Sequence, residues 1–141
     1  MASIREQIIL KIMEVLVDTP AGQNVYRSLT IPIKKNASPA IIVLSEKESQ
    51  SPEMGSISTR TLSVAINVIA RGEIADSQSD AALVDVHKKI MADTRLGGLA
   101  LYIEEMGTDW DIEDADSDAV VATINYDIVY RTALKDYEVA G

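Results

Sequence analysis

The sequence predicts an α+β fold, in which an antiparallel or mixed β-sheet of about five strands carries two helices packed on one face. Three observations lead to this class. First, two segments repeat apolar residues at helical spacing. Second, five segments are rich in β-branched residues or alternate between apolar and polar residues, as strands do. Third, these segments follow one another in the order α-β-β-β-α-β-β. The chain has 141 residues and no cysteine, so one domain spanning residues 1–141 is expected to bury a core without disulfides.

Two helices are predicted, over residues 4–17 and from Ser77 to Thr94. Ser3 followed by Glu6 forms a capping box at the start of the first helix. The helical pattern that follows runs through Ile4, Ile8, Leu10 or Lys11, Ile12, Val15 and Leu16. The second helix has an apolar stripe of Leu83, Val86, Ile90 and Met91. Gly97 and Gly98 are typical of the turn that ends such a helix.

Five strands are predicted from residue type and alternation. The first two correspond to "NVYRSLTIPI" (24–33) and "PAIIVLSEKE" (39–48), and residues 46–57 are expected to form a mobile loop because they lack an apolar period. The third strand buries Leu62, Val64, Ile66, Val68 and Ala70. The last two are "LALYIEEM" (99–106) and "AVVATINYDIVYRT" (119–132), the latter with Val120, Ala122, Ile124, Tyr126, Ile128 and Tyr130 on one face.

The segment "GTDWDIEDADSDA" (107–119) is predicted to be the loop between the last two strands, and it concentrates negative charge. Its acidic residues surround the only tryptophan, Trp110, and are Asp109, Asp111, Glu113, Asp114, Asp116 and Asp118. Eight acidic residues and no basic one lie between Glu104 and Asp118, whereas the other 14 of the 22 acids nearly balance the 13 bases. The net charge of −9 disfavours tight binding to nucleic acid.

A metal site is the first chemical interpretation of this acidic segment. An EF-hand loop requires glycine at position six and glutamate at position twelve, but a start at Asp109 places Asp114 and Val120 there. A start at Asp114 fails as well, with Ala119 and Asn125 at those positions. A looser calcium or magnesium site, or a hydrolase that uses two of the carboxylates of residues 109–118, therefore stays open only as the alternative.

Other candidate residues do not assemble an active site. His87 is the only histidine, and its place beside Lys88 and Lys89 on the second helix indicates a partly exposed side chain. Asp127 and Arg131 lie on the solvent side of the last strand, too far apart for direct pairing, so Arg131 is expected to meet an acid on a neighbouring strand or subunit. We expect neither catalysis nor a cofactor or metal.

Membrane insertion and secretion are also not expected. The apolar runs are much shorter than the ~20 residues that a membrane helix needs. The first residues, "MASIREQIIL", lack the basic-then-apolar order of a secretion signal. These features and the absence of cysteine favour a protein of the cytosol.

The tail of the chain, "LGGLALYIEEMGTDWDIEDADSDAVVATINYDIVYRT", together with "VYRS" at 25–28 and "SIREQII" near the start, resembles the tail terminator proteins of tailed bacteriophages and prophages, the group of the lambda minor tail protein U. The resemblance spans nearly the full length. Its most specific parts are residues 96–99, 107–110, 114–116 and 130–132. Ser117 stands where glycine is common in that family.

The resemblance implies a structural protein of the virion tail that assembles in the host cytoplasm. Such proteins form a homohexameric ring that docks on the tail tube protein, stops tube polymerisation and offers a surface to the head–tail connector or neck protein. DNA passes through the lumen without specific binding. Residues 109–118 would then point to the lumen or to a basic patch on an adjacent ring, with Trp110 packed on the sheet edge as an anchor. Arg131 would lie at a subunit interface.

Overall fold

The computed structural model describes residues 2–19, 24–27, 39–52, 55–72, 75–112 and 119–141. Two α-helices, six strands and one short 3-10 helix lie in this part of the chain. In chain order they are α1 (Ile4–Leu16), β1 (Val25–Arg27), β2 (Ala40–Pro52), β3 (Ile57–Arg71), α2 (Ala75–Met91), the 3-10 helix (Leu96–Gly98), β4 (Tyr102–Ile112), β5 (Ala119–Ala133) and β6 (Asp136–Ala140). The predicted α+β class and the order α-β-β-β-α-β-β are confirmed, and β6 is an addition.

The six strands form one mixed sheet with the order β1-β2-β3-β5-β4. The β1–β2 pair is parallel, and the other pairs are antiparallel. β3 occupies one edge of β5 along its whole length, from Ile57 opposite Ala133 to Arg71 opposite Ala119. β4 and β6 therefore share the other edge of β5, with β4 reaching Val129 and β6 pairing at Thr132 and Ala133.

The core lies between the helices and one face of this sheet. The alternating residues predicted to be buried in β3 and β5 are all buried, from Leu62 to Ala70 and from Val120 to Tyr130. Most of them pack in one cluster with the apolar faces of both helices, whereas Ala70 and Val120 form a separate small cluster with Ala75 at the start of α2. Each fully buried isoleucine or leucine contributes roughly 1.5–3 kcal/mol of transfer free energy, so this alternation is the main local determinant of the fold.

Helix α1 begins where its capping residue predicts. The Ser3 hydroxyl oxygen accepts a hydrogen bond of 3.0 Å from the Glu6 backbone N–H. The Glu6 carboxylate does not complete the capping box but binds the Arg27 guanidinium through two hydrogen bonds of 2.6 and 2.7 Å, which lowers the pKa of Glu6 and joins α1 to β1. Ile9 is buried and Leu10 is exposed, because the helix turns its Ile8–Ile9 side to the sheet.

Helix α2 starts two residues earlier than predicted, at Ala75, and its apolar stripe is confirmed. Leu83, Val86 and Ile90 are buried, and Met91 packs against the same cluster. Lys88 and Lys89 lie in the last turn, where positive charge complements the helix dipole. Gly97 and Gly98 form the predicted turn, since both have positive φ angles.

The prediction of a mobile loop over residues 46–57 is wrong for residues 46–52 and for Ile57, which lie in strands, and residues 53–54 lie outside the described part of the chain. β2 continues to Pro52, and its polar half, from Lys47 onwards, pairs with residues 58–63 of β3. Backbone hydrogen bonding to the long neighbouring strand supplies the pairing that the side-chain pattern does not signal. The predicted first strand is reduced to Val25–Arg27 in the described part, and residues 28–38 lie outside it.

Candidate functional site

The acidic segment begins in a strand and not in a loop. β4 extends to Ile112, so Asp109, Trp110 and Asp111 belong to it and pair with Thr123, Ala122 and Val121 of β5. The loop prediction is therefore wrong for these three residues. Its other members, Glu113, Asp114, Asp116 and Asp118, lie outside the described residues.

The register places the side chains of β4 on opposite faces of the sheet. Trp110 lies opposite Ala122, whose side chain belongs to the helix-packed core, so the indole lies on the helix face. It is 62% exposed, so the described residues bury little of it, and its role as an anchor stays a prediction. Asp109 and Asp111 are exposed and lie on the other face of the sheet, which does not carry the helices and is called the open face below.

Arg131 is exposed near the other end of β5. Its Nε donates to the Thr59 hydroxyl oxygen at 3.4 Å, across the β3–β5 pair. Among the described residues it forms no ion pair, so the acid expected opposite it is not on a neighbouring strand of this part of the chain. Asp127 accepts a 2.8 Å hydrogen bond from the Ser63 hydroxyl and is held within the open face.

His87 is partly exposed, as predicted, and contacts two strands. Its Nδ1 lies 2.9 Å from the Tyr126 hydroxyl, and its Nε2 lies 3.9 Å from a carboxylate oxygen of Glu105. Burial raises the pKa of Tyr126, and the charge of Glu105 raises it further. These contacts join α2 to β4 and β5.

A buried charged network, which the sequence analysis missed, lies at the end of the sheet where β5 turns into β6. Arg60 is 6% exposed; its Nε donates to the Thr132 hydroxyl oxygen at 2.9 Å, and its Nη1 lies 3.8 Å from Glu48. Arg5 of α1 also binds Glu48, at 2.6 Å. Arg60 lies two residues before Leu62, so it falls on the same face of β3 as the alternating buried residues 62 to 70. This alternation could have predicted from the sequence that Arg60 is buried.

Two tyrosines complete this network. The Tyr130 hydroxyl donates to the Glu48 carboxylate, and burial together with this hydrogen bond raises the pKa of Tyr130. Arg5 and Arg60 both lie over the ring of Tyr137, with 5.0 and 4.6 Å from the guanidinium carbon to the ring centroid. The network therefore connects α1, β2, β3 and β5 to β6, whose five residues are otherwise exposed.

The same end of the sheet exposes apolar side chains. We define the hairpin end as the exposed residues around the β5–β6 turn: Ile57, Leu134, Lys135, Asp136, Tyr137, Glu138 and Val139. Two adjacent recesses open there, of about 300 and 400 Å³. Both are lined by Leu134 and Lys135. Arg95 and Arg131 both line a smaller recess of about 90 Å³.

The opposite end of the sheet is acidic. We define the acidic end as Asp109 and Asp111 of β4, from which the chain leads into residues 113–118. Asp109 and Asp111 pair with Thr123 and Val121, which lie 10 and 12 residues before Ala133 in β5, so roughly 33–40 Å of strand at ~3.3 Å per residue separates the two ends. The described residues contain no group of three or more side chains able to hold a metal ion. In the same part of the chain, no helix is long and apolar enough to cross a membrane.

Comparison with solved structures relates this fold to a virion protein. The architecture defines the class as an α+β protein with one mixed sheet and two helices on one face. A chain in the structure of the virion of a native gene transfer agent (GTA) particle superposes with a TM-score of 0.59 over 90% of each chain, at 12% identity. This likeness establishes a shared fold. No protein-family model and no curated protein matches the sequence.

Proposed function

We propose that this protein is a structural component of a phage-like particle, and that within it the protein is the tail terminator. It forms a homohexameric ring that caps the tail tube, stops tube polymerisation and provides the surface for head attachment. The sequence resemblance to tail terminators and the fold shared with a chain of a GTA virion support this proposal. It acts through interfaces, without catalysis and without a cofactor or metal.

The observation that carries the proposal is the chemical difference between the two ends of the sheet. The hairpin end exposes four large apolar side chains among charges of both signs, from Lys135, Asp136 and Glu138, whereas the acidic end exposes the carboxylates of Asp109 and Asp111. A terminator needs two unlike faces, because one must match the growing end of the tube and the other must not accept a further tube subunit. Subunits that contact each other head to tail and close into a ring end growth instead of propagating it.

The acidic residues take a partner-facing or lumen-facing role in this ring. Asp109, Trp110 and Asp111, continued by Glu113, Asp114, Asp116 and Asp118, face a basic patch of an adjacent ring or the lumen. In the lumen, negative charge keeps DNA phosphates from adhering during passage, so DNA is not bound specifically. Arg131 faces the neighbouring subunit, since its guanidinium has no acid beside it in the described part of its own chain.

The partners are copies of the same chain, the tail tube protein and the head–tail connector or neck protein. Assembly takes place in the host cytoplasm, and the mature location is the virion tail. Negative-stain imaging of the protein mixed with purified tail tubes tests the capping role. Tubes should be capped at one end and stop lengthening when tube protein is added. Tubes that keep growing at both ends would refute the proposal.

A second experiment tests the role of the acidic residues. A variant with Asp111→Asn, Glu113→Gln, Asp114→Asn and Asp116→Asn should weaken ring stacking or slow DNA ejection, because it removes four negative charges. Asp80→Asn, an exposed acid on α2, is the control and should leave both unchanged. If assembly, tail length and ejection were all unaffected by the fourfold change, the acidic residues would have no such role.

A further inference from the structure

Strand β4 forms an edge of the sheet with one side available for pairing. Among the described strands it is hydrogen-bonded to β5 alone. A register shift at Met106 interrupts the pairing, and the residues after it, Gly107–Ile112, pair without a break. Within the described part of the chain, the backbone N–H and C=O groups on the outer side of this stretch pair with no other strand, and these are the groups that an additional strand binds.

The edge has some of the features that limit strand pairing but lacks others. Proteins protect edge strands by keeping them short, by β-bulges, or by placing charged residues or proline in them. β4 has the register shift at Met106 and several acids, so an acidic or a second identical edge is disfavoured, but a basic partner strand is not. β4 has eleven residues with neither lysine nor proline. It also exposes large side chains along its length, at Tyr102, Met106 and Trp110.

The two faces of β4 differ in chemistry. Glu104, Asp109 and Asp111 lie opposite Asp127, Thr123 and Val121, which places all three acids on the open face. Within the described part of the chain, none of the three acids forms an ion pair. Trp110 lies between Asp109 and Asp111 in sequence and projects to the helix face. A strand added here would meet carboxylates at alternate positions and an indole between them.

We propose that the β4 edge at Gly107–Ile112 binds an extended segment of a partner protein as an additional strand, in which lysine or arginine alternates with apolar residues. The basic residues face Asp109 and Asp111, and an apolar residue between them packs on Trp110. Cross-strand pairs of opposite charge stabilise such an arrangement, and like charges oppose it. The β4 edge of a second copy is a poor occupant, because it would place acids beside acids.

This inference goes beyond ring capping and does not depend on it. The assay below contains neither tubes nor other virion proteins, so its outcome is separate from that of the capping experiment. Trp110 provides the readout, since it is the only tryptophan in the chain and lies within the proposed binding edge. Its fluorescence reports burial of the indole.

The probe is a short synthetic peptide in which lysine alternates with valine. It should shift Trp110 emission to shorter wavelength and slow hydrogen exchange at backbone amides of β4. Three control peptides should bind at least tenfold more weakly: one with glutamate for lysine, one of the same composition in scrambled order, and one N-methylated at alternate residues so that it cannot donate backbone hydrogen bonds.

Protein variants locate the site. Asp109→Asn combined with Asp111→Asn should weaken binding of the alternating peptide about tenfold, because two opposite-charge pairs are lost. Asp80→Asn on α2 should bind as the unmodified protein does. Trp110→Ala, followed by calorimetry instead of fluorescence, should also bind more weakly.

Three results would overturn the proposal. The first is absence of binding by the alternating peptide. The second is equal binding by the scrambled or N-methylated peptide, since charge attraction alone would then explain the affinity. The third is an emission shift that depends on protein concentration without any peptide, which would identify a second copy as the occupant.

Discussion

The guanidinium of Arg60 lies over the ring of Tyr137, with 4.6 Å between the guanidinium carbon and the ring centroid. Arg5 contacts the same ring, so one exposed strand, β6, is held by cations from α1 and β3. These contacts fix the position of β6 and so of the hairpin end, because β6 has only two paired positions with β5.

Tyr137→Ala should therefore loosen β6. Loss of two cation–π contacts is expected to lower the free energy of unfolding by about 1–2 kcal/mol. Hydrogen exchange at the Gly141 amide, which donates to the Arg131 carbonyl oxygen, should accelerate. Val139→Ala is the matched control, since Val139 lies in the same strand with similar exposure. An equal loss of stability in both variants would mean that the arginines do not hold the strand.

Glu48→Ala should be among the most destabilising substitutions of a polar residue in the chain. It leaves Arg60 buried without its carboxylate and the Tyr130 hydroxyl without its acceptor, at a cost of about 3–5 kcal/mol. Chemical denaturation measures the loss. Glu46→Ala, an exposed acid on the same strand, should cost less than ~0.5 kcal/mol. Similar values for the two variants would contradict a structural role for the network.

Alkaline pH should destabilise the protein through its buried tyrosines. The pKa values of Tyr126 and Tyr130 are raised by burial in the folded state, whereas in the unfolded chain both ionise near pH ~10. The folded state thus retains protons that the unfolded state loses. The stabilisation is complete below that pH and is lost as pH rises towards the folded-state pKa values, at up to about 1.4 kcal/mol per pH unit for each tyrosine.

Denaturation midpoints across this range test the prediction. Tyr126→Phe and Tyr130→Phe should each reduce the decline of stability with pH, although each also loses a hydrogen bond, to His87 or to Glu48 respectively. Their stabilities at neutral pH serve as the reference for that loss. An unchanged decline in both variants would contradict the assignment.

Gly107→Ala should strain the start of the regular part of β4. Gly107 has a φ angle of +131°, which non-glycine residues rarely adopt, although an added Cβ would meet no atom within 4 Å. The expected cost is about 1–3 kcal/mol, from backbone conformation alone. Thermal unfolding measures it, with Glu104→Ala as the control on the same strand. A cost no greater than that of the control would show that the register shift tolerates other backbone angles.

Calcium and magnesium should not stabilise the protein. The acidic residues fail the EF-hand spacing, and no ligand group is present among the described residues. Melting temperatures with either ion and with a chelator should agree. A metal that bound only the folded state would add about 2.7 kcal/mol at a hundredfold excess over its Kd, and such a rise would favour the alternative of a metal-dependent module.

The sequence by itself determined the elements that local pattern encodes. Alternation from Leu62 to Ala70 and from Val120 to Tyr130 identified the buried face of the two central strands, because a period of two is a property of a single strand. Ser3 identified the start of α1, since its capping bond to Glu6 is local. The concentration of acid around Trp110 was also evident.

Only the tertiary structure decided which of those residues pair. The long β5 supplies a backbone partner for Asp109, Trp110 and Asp111, and so places them in an edge strand where side-chain pattern indicated a loop. Arg60 and Glu48 are twelve residues apart in sequence but form one buried network with Tyr130, because β2, β3 and β5 are adjacent. Such pairings depend on neighbouring strands distant in sequence, which a local period cannot specify.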